Sequence, residues 1–194
     1  MIYRLPVSFL FVLSSLFCMG QEKFEREFKI KNDTIAENAC VFIYQSEILE
    51  EKTRVDWYKE VSNRGTSLEA KFKQSGKHYS VEFSEAGVLE DVEIEIDSDQ
   101  ISEKTMENME HVLSSEFEKW KIKRVQRQWV GSELNIINSF ESDAAAEGVE
   151  ENFEVIVKGR TKEDKNYFEL LFSSEGKLLR KSKIIENSSD ILIY

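Results

Sequence analysis

The chain has 194 residues, with 37 Asp and Glu against 26 Lys and Arg, for a formal net charge of −11. That balance excludes nucleic acid or an anionic membrane as the main partner, since both need Lys and Arg to displace counterions; acidity serves solubility first. Eight glycines leave little room for a phosphate-cradling or dinucleotide-binding loop, and two cysteines are too few for a disulfide scaffold.

In chain order, the first segment reads as an export signal. Arg4 supplies a positive start, Leu5 to Phe17 is apolar apart from Pro6, Ser8, Ser14 and Ser15, and Cys18-Met19-Gly20 presents small residues for cleavage before Gln21. The apolar run is too short to span a bilayer, and nothing later resembles a membrane helix. The expectation is a periplasmic or secreted protein, cleaved near Gly20, with no stable membrane insertion. Lipidation of Cys18 is the rival, and bulky Phe17 and Ser15 argue against it. Cleavage removes one basic residue, Arg4, and no acid, so the remaining 174 residues carry −12. Cys40 is then the single cysteine, and stability must come from an ordinary core.

Phe24 to Ile30 alternates as an extra edge strand. Asp33 to Leu49 reads as a helix, with Asn32, Asp33 or Thr34 as cap and Glu37 completing a capping box with Thr34. Strand signals follow with period two: Val55, Trp57 and Val61; Leu68, Ala70 and Phe72; Tyr79, Val81 and Phe83; Val92, Ile94 and Ile96. Charged residues fill the places between, the pattern of an antiparallel sheet with one buried and one wet face. Turns fall at Ser62 to Gly65, Gln74 to Lys77 and Ser84 to Gly87, so residues 53–97 read as a four-stranded meander.

The pattern then restarts. Met106, Met109, Leu113 and Phe117 place an amphipathic helix over Ser102 to Lys119, starting at Ser102. Trp120 to Val130 is a strand whose parity slips between Ile122 and Val125, which predicts a bulge. An insertion, residues 131–152, holds a short helix through Leu134, Ile137 and Phe140 and a loop from Ser142 to Gly148. Phe153, Val155 and Val157 form a strand, Tyr167 to Phe172 a strand apolar on both faces and hence central, and Leu178 to Ile185 the last. The fold class is α+β: two tandem units of a helix plus a four-stranded antiparallel sheet, residues 21–97 and 98–194, after a signal peptide of residues 1–20. Each unit alone is marginal in size, so the two should support each other.

The block EAKFKQSGKHYSVEFSEAGVLEDVEIEI, followed by a helix and WKIKRVQRQW, resembles the PepSY-like family of exported bacterial proteins, similar in fold to the β-lactamase inhibitor protein. The residues that carry it are Tyr79, Val81, Phe83, Gly87, Leu89 and Val92, and in the second copy Phe168, Leu170, Phe172, Gly176 and Leu178. The resemblance covers nearly all of residues 24–185. It implies a helical segment backed by an antiparallel sheet in each unit, no assigned catalytic residues, and binding or inhibition of peptidases. The family often starts its first helix with Pro, where this chain has Ile35.

No catalytic constellation is present. His78 and His111 lack partners at metal-ligand spacing, and Cys40 has no flanking signature of a nucleophile. Glu90, Asp91, Glu93, Glu95, Asp97 and Asp99 form an acidic run along one edge, but Asp97-x-Asp99 lacks the Gly and closing Glu of a calcium loop. Trp57 reads as a core residue. Tyr58, opposite in parity to Trp57, should face outward beside Arg54 and Glu60, and Arg127 and Trp129 share a face. Aromatics with Arg on an exposed sheet have the composition of binding hot spots. The reading is therefore a non-enzymatic exported binding module, monomer or weak dimer, without cofactor or metal. Its sheet face, through Arg54, Tyr58, Arg127 and Trp129, would contact a protein or peptide of the cell envelope, with inhibition of a peptidase or other hydrolase as one outcome. The alternative is a small-ligand or divalent-cation binding protein using a cleft between the repeats and the acidic edge.

Overall fold

The computed structural model describes residues 21–185 apart from Phe24, Asn32, Asp33 and Arg64. The expected export signal, its cleavage site and Cys18 lie outside the described residues. The elements are β1 (Gln21–Lys23), β2 (Glu25–Ile30), α1 (Glu37–Gln45), β3 (Val55–Ser62), β4 (Gly65–Gln74), β5 (Lys77–Ser84), β6 (Leu89–Glu95), α2 (Glu103–Glu116), β7 (Lys119–Val130), α3 (Glu133–Ser142), β8 (Glu150–Arg160), β9 (Lys165–Ser173) and β10 (Leu178–Ile184). The chain is α+β. Strands β2 to β10 form one nine-stranded antiparallel sheet in which sequence neighbours are spatial neighbours, and β1 adds in parallel to β10.

The sheet is strongly curled. Lys23 pairs with Ile184 on one edge strand, while Glu25 pairs with Ser62 beside the other edge. Two residues of chain span at most about 7 Å, so the N-terminal segment draws the two ends of the sheet together. Twisted sheets of this size curl rather than stay flat.

All three helices cover one face, the convex one. There the period-two apolar residues of the strands merge with Ala39, Phe42 and Ile43 of α1, Met109 and Leu113 of α2 and Ile136 of α3 in a single core. Phe42 meets Phe83 edge-on at 5.8 Å, and Phe117, at the end of α2, packs on Phe168 at 4.8 Å. Trp57 is buried as expected, donating its indole N–H to the Tyr44 hydroxyl at 3.1 Å. Helices α1 and α2 are each also gripped by a turn. A Cβ on Gly87 would lie 2.8 Å from Ala36 Cβ at the start of α1, and one on Gly176 would lie 2.6 Å from the Thr105 carbonyl oxygen in α2. Both glycines have φ +78, which side chains rarely adopt.

Most expected elements are present, with local corrections. Ser102 caps α2, its hydroxyl accepting from the Thr105 N–H. The expected slip in β7 is a register shift between Ile122 and Arg124. By contrast, α1 starts later than read: Ala36 is the N-cap and no side chain caps it, because the Thr34 hydroxyl donates to the Lys31 carbonyl instead. The helix in the insertion turns Ile136 inward and leaves Leu134, in its first turn, 66% exposed. β9 lies two places from the β1 edge rather than at the centre, and β6, read as an acidic edge, sits mid-sheet between β5 and β7.

Candidate site on the concave sheet face

Among the described residues no helix covers the opposite face, which carries the polar half of the alternation. The curl folds it into a trough of about 870 Å³ that runs from Glu27 on β2 to Ile184 on β10. Eleven carboxylates and six Lys or Arg side chains line it. Across a flat sheet, β6 and β10 would stand about 19 Å apart at the usual strand spacing, yet Asp91 and Arg180 line the same trough. A nominally wet face is thereby turned inward. Glu69 is 5% exposed, Glu154 6% and Glu169 3%, unusual for carboxylates outside paired sites.

Register explains how the acids meet. Tyr58 lies opposite Glu69, Glu69 opposite Glu82, and Glu82 opposite Asp91, a row across four strands. Two carboxylate triads result, each with oxygens within 4.8 Å of one another: Glu27, Glu60 and Glu69, and Glu82, Asp91 and Glu93. The first holds the Lys71 ammonium, 2.9 Å from Glu27 and 3.1 Å from Glu69. Burial raises the Glu69 pKa against the pull of Lys71, and the Ser80 hydroxyl donates to the same carboxylate. Burial works to lower the Lys71 pKa, but the charges of Glu69 and Glu27 outweigh it and the net shift is upward.

The second triad is held by amides. The Gln128 Nε2 donates to Asp91 Oδ2 at 3.0 Å, and the Gln126 Nε2 to Glu93 Oε2 at 2.6 Å. Burial first, then the Glu90 charge, pushes the Asp91 carboxyl up to about 7. Glu82 is raised well above the usual range by burial and then by Asp91. Further along, Arg180 donates to Glu169 at 3.2 Å and lies 3.7 Å from Glu154.

Of the residues read from the sequence, two belong to the trough and two do not. Arg54 stands exposed at the rim, paired with Asp56 at 3.3 Å. Tyr58 is half-buried, with Lys71 5.2 Å and Lys29 5.9 Å from its ring centre. Arg127 and Trp129 do share a face, but it is the helix face. Trp129 is 1% exposed, edge-on to Phe140 of α3 at 6.0 Å, and both side chains reach Glu151 Oε2 at 3.3 Å. The insertion helix covers them, so they are corrected from binding surface to core and its margin.

The inward acids were missed because alternation alone reads them as solvated. The Asp97 to Asp99 stretch forms no ligand cluster; the Asp97 N–H is taken by Gln100 Oε1 at 3.2 Å in a short turn. His78 and His111 are exposed, and Cys40 is half-buried, its thiol pushed up by burial and then by Glu37. A site built this way can hold cationic groups.

No family model matches the sequence, and no curated protein does. Among solved structures, the chain is similar to a DUF2874 family protein from Bacteroides ovatus ATCC 8483, with a TM-score of 0.50 and 15% identity over 82% of this chain and 94% of that one. A protein of Bacteroides eggerthii DSM 20697, provisionally named periplasmic, gives a TM-score of 0.47 and 12% identity over 77% and 88% of the two chains. The first likeness shows a shared α+β fold. Among the described residues no helix is long and apolar enough to cross a membrane.

Proposed function

We propose that this chain is a non-enzymatic binding module of the cell envelope whose concave sheet face receives a peptide segment or protein loop bearing Lys or Arg. The observation that carries the reading is the open trough itself, whose eleven lining carboxylates outnumber its six Lys and Arg side chains. A narrow, curved trough suits an extended segment better than a flat surface, and charge of opposite sign supplies both steering and register. Tyr58 and Arg54 at one side keep the roles read for them in the sequence. Restraint of a hydrolase is one use of such a contact.

Export as a PepSY-like protein fits the Arg4 to Gly20 signal. A tandem repeat is supported by the recurrence of helix, turn glycine and strand: Gly87 against α1 and Gly176 against α2 share one φ and one docking role.

Fluorescent Lys/Arg-rich and Asp/Glu-rich peptides of equal length test the reading by anisotropy. The basic set should bind in a salt-sensitive way, and Tyr58→Ala or Glu154→Gln should weaken it while Val88→Ser, on an exposed turn, should not. Equal binding of both sets, or none of either, would sink the proposal.

A further inference from the structure

The geometry points to a binding site for a hard divalent cation, calcium by its ligand chemistry, at Glu82, Asp91 and Glu93, with the Gln126 carbonyl as a further oxygen. The trough contains its own comparison. Two triads are built alike, and one has an ammonium group at its centre. At the other, no Lys or Arg nitrogen of the described residues lies within ion-pair distance of Glu82 or Asp91. Two oxygens on one calcium ion at about 2.4 Å stand no more than about 4.8 Å apart, and the three carboxylates meet that limit.

An independent observation comes from the amides. Gln126 is 8% exposed, and its Nε2 is committed to Glu93. Its Oε1 is buried and accepts no hydrogen bond, and neither does Asp91 Oδ1 within the triad itself. A buried acceptor with no donor is costly, and the other two members of the triad are carboxylates, which donate only if protonated. A cation satisfies both orphan oxygens and the like charges together. The ligands are all oxygen, which selects calcium over zinc or copper, and the set is irregular, which disfavours magnesium with its strict octahedron. This site does not depend on peptide docking, and either can fail alone.

Isothermal titration of the purified protein with calcium chloride at neutral pH tests it. The expected result is one saturable equivalent with a dissociation constant of about 10⁻⁴–10⁻³ M, the range of extracellular calcium modules, and weaker binding of magnesium chloride. Glu82→Gln and Gln126→Leu should each weaken binding about tenfold or more, with circular dichroism confirming the fold. Glu27→Gln, in the lysine-filled triad, should leave it unchanged. No saturable heat, magnesium bound as tightly as calcium, or binding indifferent to both Glu82→Gln and Gln126→Leu overturns the assignment.

Discussion

Asp91 shows what a single side chain inherits from the curl of the sheet. Its carboxyl is raised to about 7, chiefly by burial, against roughly 3.9 in an unfolded chain. The folded state therefore binds the proton more tightly than the unfolded state. Its contribution to stability is complete below the unfolded value and is lost as pH rises through about 7. The same direction holds for Glu82. Denaturant midpoints at about pH 5 and about pH 8 should thus fall for the wild type in the absence of calcium, from this pair. Asp91→Asn should shrink that fall and leave the protein more stable at the higher pH, on the order of 1 kcal/mol. An identical pH profile in the variant would show that the carboxyl ionises as freely folded as unfolded. The alternation of Asp91, Glu93 and Glu95 was plain in the sequence, so their shared face was legible. The burial of Asp91 and Glu93 was not, because strand parity says which face a residue occupies and nothing about whether that face curves away from water.

At the scale of elements, local chemistry was read well where it is self-contained. The Ser102 cap, the Met109 and Leu113 stripe and the bulge before Val125 depend on neighbours within a turn or a strand, and all are in place. Trp129 depends on something remote. Its burial comes from Phe140, eleven positions on in an insertion whose helix had no visible docking partner. The turn glycines lie between these cases: positive φ was readable, but the helix pressed against each was not. Gly76 and Gly176 separate the two contributions. Both have positive φ, yet a Cβ on Gly76 meets nothing within 4 Å, whereas one on Gly176 meets the Thr105 carbonyl at 2.6 Å and Asn108 Cβ at 2.8 Å. The carbonyls of Ser174 and Glu175 also accept from Thr105 Oγ1 and Asn108 Nδ2, so the turn has no room to slide. Gly76→Ala should cost about 1–2 kcal/mol, the backbone contribution alone. Gly176→Ala should cost about 2–4 kcal/mol, because overpacking against fixed backbone adds to it. Chemical denaturation of the two variants checks the order, and equal losses would mean that α2 is not held by its turn.

For the whole molecule, the question is whether the segments on either side of residue 97 behave as one body. Across the middle, β6 and β7 pair from Val92 with Trp129 to Glu95 with Gln126, and the Ile96 N–H continues the ladder to the Val125 carbonyl at 3.1 Å. On the convex side the core runs without a break from Phe42 to Leu170, and on the concave side the Gln126–Glu93 and Gln128–Asp91 bonds cross the same seam. Beyond it, β1 pairs with the last strand while β2, one residue later, pairs with β3. A cut at residue 97 would therefore bare two mid-sheet edges and break the tie between the ends, at a size where each half buries only about 60% of its unfolded surface. Unpaired edges of that kind associate rather than stand in water. Calorimetry of the intact chain should give a single transition with the calorimetric and van't Hoff enthalpies equal. Residues 21–97 and 98–194 expressed separately should be unfolded or aggregated, and should recover structure only when mixed, if at all. Two resolved transitions, or one half that melts cooperatively by itself, would show that the seam between β6 and β7 joins finished domains, and the trough would then belong to their contact rather than to one curled sheet.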